Sequence, residues 1–215
     1  MKEYVKQHVK WFSQGALRFE DVGKVLYTDP YQIDSPYNDA DFVFLTHSHY
    51  DHFSPDDIAK VIKADTVFIA PDTMRKEMQI YSRYKLILVN PHEKDVPLCG
   101  NVSFSTLPAY NTVKTKFHPK ANNWVGYIIK IGKKSFYYTG DTDFVPEMEN
   151  LKPDVIFVPL GTIYTMESID EAVKSVRASK AAAAVPVHYA GAEGTVDDAL
   201  HFCEILEGET EAFIL

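Results

Sequence analysis

Short apolar runs, separated by polar or glycine-containing turns, recur along most of the chain. Each run is short for a helix and rich in β-branched or aromatic residues, which predicts buried β-strands. The runs are DFVFLT (41–46), TVFIAP (66–71), KLILVN (85–90), VSFSTLPAY (102–110), DVIFVPLG (154–161) and AAAVPVHY (182–189). The spacing of these runs along the chain predicts a molecule built around β-sheets.

Two further patterns predict β-hairpins. ALRF and KVLYT flank the turn sequence EDVG, so residues 16–28 form one expected hairpin. The second covers residues 124–141 and turns at Gly132-Lys133, and its second strand leads directly to Asp141.

Capping residues indicate where helices begin between the strands. Ser54 is a favourable N-cap residue, and Pro55 follows it at the first helical position. Ser168 and Glu171 have the spacing of a capping box. Further helices are expected from Asp72 to about Gln79, from Ser168 to Lys180 and from Thr195 and Asp198 onward.

This mixture of strands and helices predicts an α+β fold with helices packed outside the sheets. The length of 215 residues fits one domain over residues 1–215, or at most a small pair. Hydrophobic residues make up 46% and charged residues 24% of the chain, which is ordinary for a globular protein with a sizeable core.

Charge and cysteine content narrow the class of protein. The net charge of −8 argues against a nucleic-acid binder and is compatible with bound cations. The two cysteines, Cys99 and Cys203, lie far apart and predict reduced structural thiols. The chain has no apolar stretch of the length expected for a signal peptide or a membrane span. We therefore expect a soluble cytoplasmic protein that binds no membrane.

The stretch THSHYDH carries the densest candidate chemistry. It places His47, His49, Asp51 and His52 in the loop between a predicted buried strand and the helix that begins after Ser54. Three histidines and a carboxylate in one short loop are difficult to explain by packing, because protonated imidazoles would repel one another. Imidazole and carboxylate together are typical ligands of zinc and similar metals, so the sequence predicts a metal site here.

Two other residues can complete that site. Asp141 follows a predicted strand in YYTGDTDF, and His188 ends another predicted strand in VPVHYAG. Either residue alone would be a weak signal. Their position at strand ends matches the position of His47, and this agreement favours one common site.

These motifs resemble those of the metallo-β-lactamase-fold superfamily. THSHYDH is similar to its HxHxDH signature, TGDTD to its later aspartate motif and VPVHY to its final histidine motif. Asp29-Pro30 resembles the early structural motif of these proteins. The resemblance covers essentially the whole chain. It implies a four-layer αββα sandwich, in which two mixed β-sheets face each other with helices outside, and a two-metal site at one edge.

The resemblance also implies a role for each ligand. His47 and His49 would bind a first metal ion, Asp51 and His52 a second, Asp141 would bridge the two, and His188 would complete the second site. The ions would be two divalent metals, with zinc expected and manganese or iron as alternatives. A water bound by the metals would be the nucleophile. Asp51 would be the catalytic residue that orients this nucleophile or carries its proton while acting as a ligand.

The chain departs from the family pattern at the third histidine of the first metal. The corresponding strand end reads LPAYNTVKTKFHPKANNW, where Tyr110 and Asn111 stand near the usual position and His118 follows in the same loop. His118 can be the ligand, Asn111 or water can replace it, or the protein can hold a single metal. Our prediction is His118.

Other residues near these motifs have milder interpretations. Lys114, Lys116 and Lys120 share the loop with His118 and could attract an anionic substrate. Tyr164 and Thr165 are expected at the rim of the site. Tyr189 could donate a hydrogen bond to an oxyanion, although packing is the more ordinary role for a tyrosine at a strand end. Trp11 and Trp124 are expected to pack in the core.

The leading functional prediction is a metal-dependent hydrolase acting on an ester, lactone, amide, thioester or phosphodiester bond of a small molecule. Within the superfamily, the compact length is similar to that of the L-ascorbate-6-phosphate lactonase-like group. One alternative is an oxygen-dependent enzyme of the same fold with a single iron, and another is a non-catalytic metal-binding protein. The family also suggests a homo-oligomer.

Overall fold

The computed structural model describes residues 1–191 and 193–215, and it contains two mixed sheets. In the first sheet the spatial order of the strands follows the chain order from β1 to β6. Its strands are β1 (Val9–Ser13), β2 (Ala16–Asp21), β3 (Lys24–Thr28), β4 (Ala40–Phe44), β5 (Ile62–Pro71) and β6 (Lys85–Val89). Strands β1 to β3 pair antiparallel, and β3 to β6 pair parallel.

The second sheet has the same division, with antiparallel pairs first and parallel pairs later along the chain. Its spatial order is β13-β12-β11-β10-β9-β8-β7. Its strands are β7 (Val96–Cys99), β8 (Val102–Pro108), β9 (Val125–Ile131), β10 (Lys134–Tyr138), β11 (Val155–Pro159), β12 (Ala183–Val187) and β13 (Glu211–Ala212). Strands β7 to β10 pair antiparallel, and β10 to β13 pair parallel.

The helices are short. They are α1 (Lys2–His8), α2 (Pro55–Val61), α3 (Ile169–Ser179) and α4 (Val196–Ile205), with 3-10 turns at Asp72–Met74, Glu77–Tyr81, Lys120–Asn122 and Pro146–Met148. In the part of the chain that the structure describes, no helix has the length and apolar character that crossing a membrane requires.

Three apolar clusters hold the layers together. The central cluster joins side chains of the two sheets, such as Phe44 of β4 and Phe136 of β10. A second packs α3 and α4 on the outer face of the second sheet, with Phe202 fully buried. A third packs α2 on the outer face of the first sheet. The arrangement is the expected αββα sandwich of an α+β protein.

Two local predictions, the helix after Asp72 and the capping box at Ser168, need correction. The expected helix from Asp72 to about Gln79 is instead two short 3-10 turns, because Pro71 offers no capping side chain and the segment lacks the length to propagate a helix. Ser168 does cap α3, since its Oγ accepts a hydrogen bond from the Glu171 backbone N–H. The reciprocal half of the capping box is absent among the described residues. The Glu171 carboxylate instead accepts hydrogen bonds from the backbone N–H groups of Phe144 and Glu167.

The carboxyl ends of the parallel strands gather the site residues at one edge of the sandwich. Asp29 directly follows β3, and the histidine loop follows β4. Asp141 lies shortly after β10, and His188 directly follows β12. Gly140 has φ of +63° and would place a Cβ atom 3.0 Å from Thr46. A side chain at this position would be both strained and crowded, so glycine allows the chain to turn Asp141 toward the histidines.

Candidate metal centre

His47, His49 and His118 form one group of candidate ligands. One ring nitrogen from each lies within 4.8 Å of the others, and His47 Nε2 is 3.1 Å from His49 Nδ1. Both ring nitrogens of His118 are buried, and neither has a hydrogen-bond partner among the described residues. Its Nε2 lies 3.4 Å from the Asp141 carboxylate without the geometry of a hydrogen bond. Buried imidazole nitrogens are normally satisfied, so the surroundings of this ring fit a metal ligand.

Asp51, His52 and His188 form a second group with the same spacing limit. His52 Nε2 lies 3.3 Å from His188 Nε2, and Asp51 Oδ2 lies 3.4 Å from the same nitrogen of His188. The histidine rings of this group are fully buried, whereas the side chain of Asp51 retains 13% exposure. Asp51 is thus the most solvent-exposed residue of this group.

Asp141 lies between the two groups. Its Oδ2 atom is 3.3 Å from His52 Nε2, 3.4 Å from His118 Nε2, 3.4 Å from His188 Nε2 and 3.9 Å from His47 Nε2. One carboxylate oxygen therefore faces imidazole nitrogens of both groups. This is the position that a bridging ligand needs.

Asp29 orients His52 from behind. His52 Nδ1 lies 2.8 Å from Asp29 Oδ2, so the opposite ring nitrogen points into the cluster. Asp29 is itself fixed, because its Oδ2 accepts hydrogen bonds from Thr46 Oγ1 at 2.6 Å and from Tyr138 OH at 2.7 Å. A carboxylate behind a ligand histidine fixes the ring and raises its basicity.

Glu193 lies behind His188 as Asp29 lies behind His52. The sequence had given no prediction for this residue. Its Oε1 atom lies 2.9 Å from His188 Nδ1. Its Oε2 atom accepts hydrogen bonds from the backbone N–H groups of Ile163 and Tyr164, at 3.0 and 3.1 Å. The only sequence signal is a carboxylate in the glycine-flanked segment shortly after His188, and such a signal is too common to be informative alone.

Charge interactions divide the cluster into neutral and charged parts. Burial lowers the pKa of His47, and the neighbouring His52 lowers it further. Burial also lowers the pKa of His52, but Asp141 and Asp29 outweigh this effect and raise it well above its usual value. Burial raises the pKa of Asp141, yet His188 and His52 outweigh it and hold this pKa well below its usual value. The Asp141 carboxylate stays ionised beside a neutral imidazole, a donor set that suits a divalent cation.

The structure separates the candidates in the 110–123 loop. The side-chain amide of Asn111 is engaged within the loops: its Nδ2 donates hydrogen bonds to the carbonyls of Tyr164 at 2.6 Å and Lys114 at 3.1 Å. Its backbone N–H donates to the His118 carbonyl at 2.8 Å. It therefore builds the loop. His118 is brought to His47, with ring centroids 5.2 Å apart. Trp124 packs against these rings, at 4.8 Å from the His47 ring, so its packing role lies at the site itself.

A cavity of about 230 Å³ opens above the cluster. It is lined by five candidate ligands, namely His49, Asp51, His118, Asp141 and His188. Its walls are Gln14, Tyr50, Phe117, Tyr164 and Glu193. The structure thus brings together His47, His49, Asp51, His52, His118, Asp141 and His188, and it places five of these seven at the cavity surface.

The two residues expected at the rim, Tyr164 and Thr165, differ in position. Tyr164 lines the cavity, whereas Thr165 is fully buried and its Oγ1 donates to the Gly161 carbonyl. Tyr189 is 4% exposed and its ring stacks on Trp11 at 4.6 Å. Its role is packing, and the alternative of an oxyanion donor has no support in this position.

Gln14 was also missed by the sequence analysis. It lies in the β1–β2 turn with φ of +46°, an uncommon conformation for a residue with a side chain. Its Nε2 atom is 3.5 Å from Asp51 Oδ2, and its backbone carbonyl accepts a hydrogen bond from the His188 N–H at 3.1 Å. The turn therefore connects the first sheet to both sides of the second ligand group.

Comparisons with known proteins show which family the chain resembles. Residues 23–189 match the family model described as the beta-lactamase superfamily domain. A protein of Caldivirga maquilingensis, named UPF0173 metal-dependent hydrolase, is 30% identical over 85% of this chain and 82% of its own length. A relative of the same name from Archaeoglobus fulgidus is 28% identical over 84% of this chain and 82% of its own length.

Solved structures show the same fold. A protein from Parabacteroides distasonis, described as a proposed metal-dependent hydrolase, superposes with a TM-score of 0.82 and 26% identity, covering 96% of this chain and 91% of its own. A metallo hydrolase from Ignicoccus hospitalis has a TM-score of 0.76 and 19% identity over 96% of this chain and 94% of its own. The chain therefore belongs to the metallo-β-lactamase-fold superfamily, in the family of UPF0173 metal-dependent hydrolases.

Proposed function

We propose that this protein is a hydrolase that uses two divalent metal ions, zinc in the first instance, to cleave an ester, lactone, amide or phosphodiester bond of a small molecule. The position of Asp141 carries the proposal. Its Oδ2 atom lies within 3.3–3.9 Å of four imidazole nitrogens that belong to two ligand groups. A site for one ion would need neither the second group nor a shared carboxylate between them.

The ligands would divide between the ions as the groups divide. His47, His49 and His118 would hold the first ion, and Asp51, His52 and His188 the second, with Asp141 shared. Two bound divalent ions supply an activated water near neutral pH and polarise the oxygen of the scissile group. His47, whose pKa burial lowers, and the ionised Asp141 already have the protonation states that ligands require. Against the effect of burial, nearby carboxylates raise the pKa of His52 and bring that of His188 to about 10, so these two imidazoles would release a proton when a metal ion binds.

The chain's own residues would then position and move protons. Asp51 is the ligand carboxylate whose side chain is most open to the cavity, so its Oδ2 can take a proton from the attacking water. Gln14 Nε2, at 3.5 Å, restrains that carboxylate. The Glu193 carboxylate lies 2.9 Å from His188 Nδ1, where it would restrain the His188 ring, and it accepts a hydrogen bond from the N–H of Tyr164 in the cavity wall.

The test combines metal analysis with hydrolysis. Wild-type protein purified without added metal or a histidine tag should contain about two zinc or manganese ions per chain and hydrolyse part of an ester, lactone and phosphodiester panel. His118→Ala should retain about one ion and lose at least about a hundredfold in kcat/KM, because the first group loses a ligand. His201→Ala, an exposed histidine of α4 (60% side-chain exposure), is the matched control and should change neither quantity.

Two results would contradict the proposal. One iron per chain in both wild type and His118→Ala, with oxygen consumption, would favour the oxygen-dependent alternative. Full metal loading without hydrolysis of any member of the panel would favour a non-catalytic metal-binding protein.

A further inference from the structure

Aromatic side chains form the upper walls of the cavity. Phe117 and Tyr164 meet edge to face, with ring centroids 4.9 Å apart and an angle of 86° between the rings. Tyr50 lies on the wall contributed by the histidine loop, is 72% exposed and contacts the Tyr31 ring at 5.9 Å. These rings line the same cavity as the candidate ligands, so they can contact the part of a substrate outside its scissile group.

The same loops expose more apolar surface. Val113, in the loop that carries Phe117, is 60% exposed, and Ile163, beside Tyr164, is 51% exposed. Tyr164 itself is 41% exposed. Single exposed apolar residues are common, but several on two loops that border one cavity are typical of a ligand-binding surface.

The described residues that line the cavity offer no lysine or arginine side chain to an anion. Apart from the histidines, the charged side chains in this part of the structure are the carboxylates of Asp51, Asp141 and Glu193. Recognition of a phosphate or carboxylate normally uses arginine or lysine donors, often in charge-assisted hydrogen bonds. The described outer walls therefore provide contacts for an apolar group and none of the usual partners for an anionic one.

Two of the three lysines of the His118 loop are engaged with other groups of the protein. Lys114 Nζ donates to the carbonyls of Thr162 at 2.7 Å and Met166 at 2.6 Å, so it is a structural tie between two loops. Lys120 Nζ is engaged by Tyr110 OH at 3.1 Å. The ammonium of Lys116 lies 4.6 Å from the centre of the Phe117 ring. Lys116 is consequently the cation of this loop that a test must address.

The cavity is also small. Its volume of about 230 Å³ lies below the roughly 300–1,000 Å³ of pockets that enclose drug-sized ligands. A compact molecule fits this space, and a long polymer segment would have to lie across its mouth.

Building on the proposed function, we infer that the substrate is a compact neutral ester, lactone or amide with an apolar group of about the size of an aromatic ring. The scissile group lies at the metal cluster. The apolar group lies between Tyr50 and the Phe117–Tyr164 pair. Phosphorylated or carboxylated substrates of the same size bind poorly, because the walls replace their hydration with aromatic surface.

Two hydroxamates test the inference by binding and do not depend on turnover. Benzohydroxamate and succinomonohydroxamate share a metal-chelating head, and their tails are a neutral ring and a carboxylate. We expect metal-loaded wild-type protein to bind benzohydroxamate at least about ten times more tightly in calorimetric titration. Phe117→Ala should remove most of this preference with metal content unchanged, and Tyr164→Ala provides a second variant if the first does not fold.

Two controls make the result decisive. Leu200→Ala removes an apolar side chain of α4 that is 45% exposed and lies outside the cavity, and it should leave both affinities within about twofold. Lys116→Ala should do the same. The inference is wrong if succinomonohydroxamate binds as tightly as benzohydroxamate or more tightly, especially if Lys116→Ala abolishes that binding. It is also wrong if neither compound binds. If the protein prefers benzohydroxamate but hydrolyses no ester, lactone or amide, the proposed function is wrong. The inference that the site binds compact neutral molecules with an apolar group would still hold.

Discussion

At the residue scale, the chemistry of the site depends on a buried carboxylate balanced by imidazoles. Asp141 is 5% exposed, and its ion-pair partners in the described part of the chain are histidines. Removing an ionised carboxylate from water is costly unless opposite charge and hydrogen bonds compensate. Metal ions at the two ligand groups would provide that compensation, which is why the proposed site gains stability from the same ions that serve its chemistry.

Glu193 provides a prediction about a residue that does not touch the proposed ions. Glu193→Gln keeps an acceptor for the N–H groups of Ile163 and Tyr164 but removes the negative charge beside His188 Nδ1. We expect metal affinity to fall about 10–100-fold in a competition titration with a chromogenic chelator, because the His188 ring becomes less basic and less fixed. Glu204→Gln, in α4 with 75% side-chain exposure, is the control. Equal affinities in the two variants would show that Glu193 serves only the fold of the loop.

The sequence marks candidate ligands where they are clustered or lie in a motif, and it gives no signal for residues that act from outside those motifs. The spacing of His47, His49, Asp51 and His52 is sufficient to place them in one loop. Glu193 and Gln14 have no local pattern, because their function arises from contact with residues that are distant in the chain. His118 could be proposed, but only the loop conformation separated it from Asn111.

At the element scale, the first turn of α2 connects the helix to the loop after β3. Ser54 Oγ accepts from the Asp57 N–H, as the sequence predicted for an N-cap. The Asp57 carboxylate accepts hydrogen bonds from the backbone N–H groups of Gln32 and Ile33, both at 3.0 Å, and from Lys60 Nζ at 2.8 Å. This carboxylate therefore fixes the segment that leads from Asp29, behind the metal site, to the helix.

The Asp57 contacts predict an acid dependence of stability. Burial raises the pKa of Asp57, but hydrogen bonds from Lys60 and Ser54 outweigh it and the net pKa is lowered. Because the pKa of Asp57 is lower in the folded state, its contacts stabilise the protein fully at pH values above the unfolded-state pKa. This stabilisation is lost as the pH falls through the folded-state pKa, here below about pH 4. Asp57→Asn should reduce the free energy of unfolding by about 1–3 kcal/mol at pH 7, and the difference should shrink below about pH 4.

Urea denaturation at several pH values measures this effect. Asp56→Asn is the matched control, because Asp56 belongs to the same first turn but is exposed. An equal loss in both variants, independent of pH, would attribute the effect to the helix dipole instead of the carboxylate contacts.

At the scale of the whole molecule, the two sheets share one central apolar cluster and one candidate site. The central apolar cluster includes side chains from both sheets, and the proposed ligands come from loops after β4, β8, β10 and β12. We propose on this basis that residues 1–215 constitute a single domain. The ligand groups thus link the two sheets at the edge where their strand ends meet.

Metal removal should therefore weaken the entire molecule. A ligand that binds only the folded state contributes about 3–4 kcal/mol when its free concentration is 100–1,000 times the Kd. For a chain of this size, each kcal/mol corresponds to about 2–4 °C, so a strong chelator should lower Tm by about 5–15 °C. Asp141→Asn should show a much smaller chelator effect in the same calorimetric scan. An unchanged Tm for metal-stripped wild-type protein would contradict a site that links the sheets.

The sequence by itself determined the pattern of buried strands, the cap of α2 and the residue types of a metal site, because each depends on neighbours within a few positions. It did not determine the short β7 and β13 edge strands or the 3-10 turns after β5, where local preference is weak and packing decides. Only the tertiary structure brought Asp141 between two histidine groups, put Glu193 behind His188 and set Phe117 against Tyr164. The Asp141 and Phe117 relations join residues far apart in the chain, and their distances are fixed by the packing of the two sheets and their loops. Glu193 follows His188 closely in the chain, but its carboxylate is held by the backbone of the distant Ile163 and Tyr164.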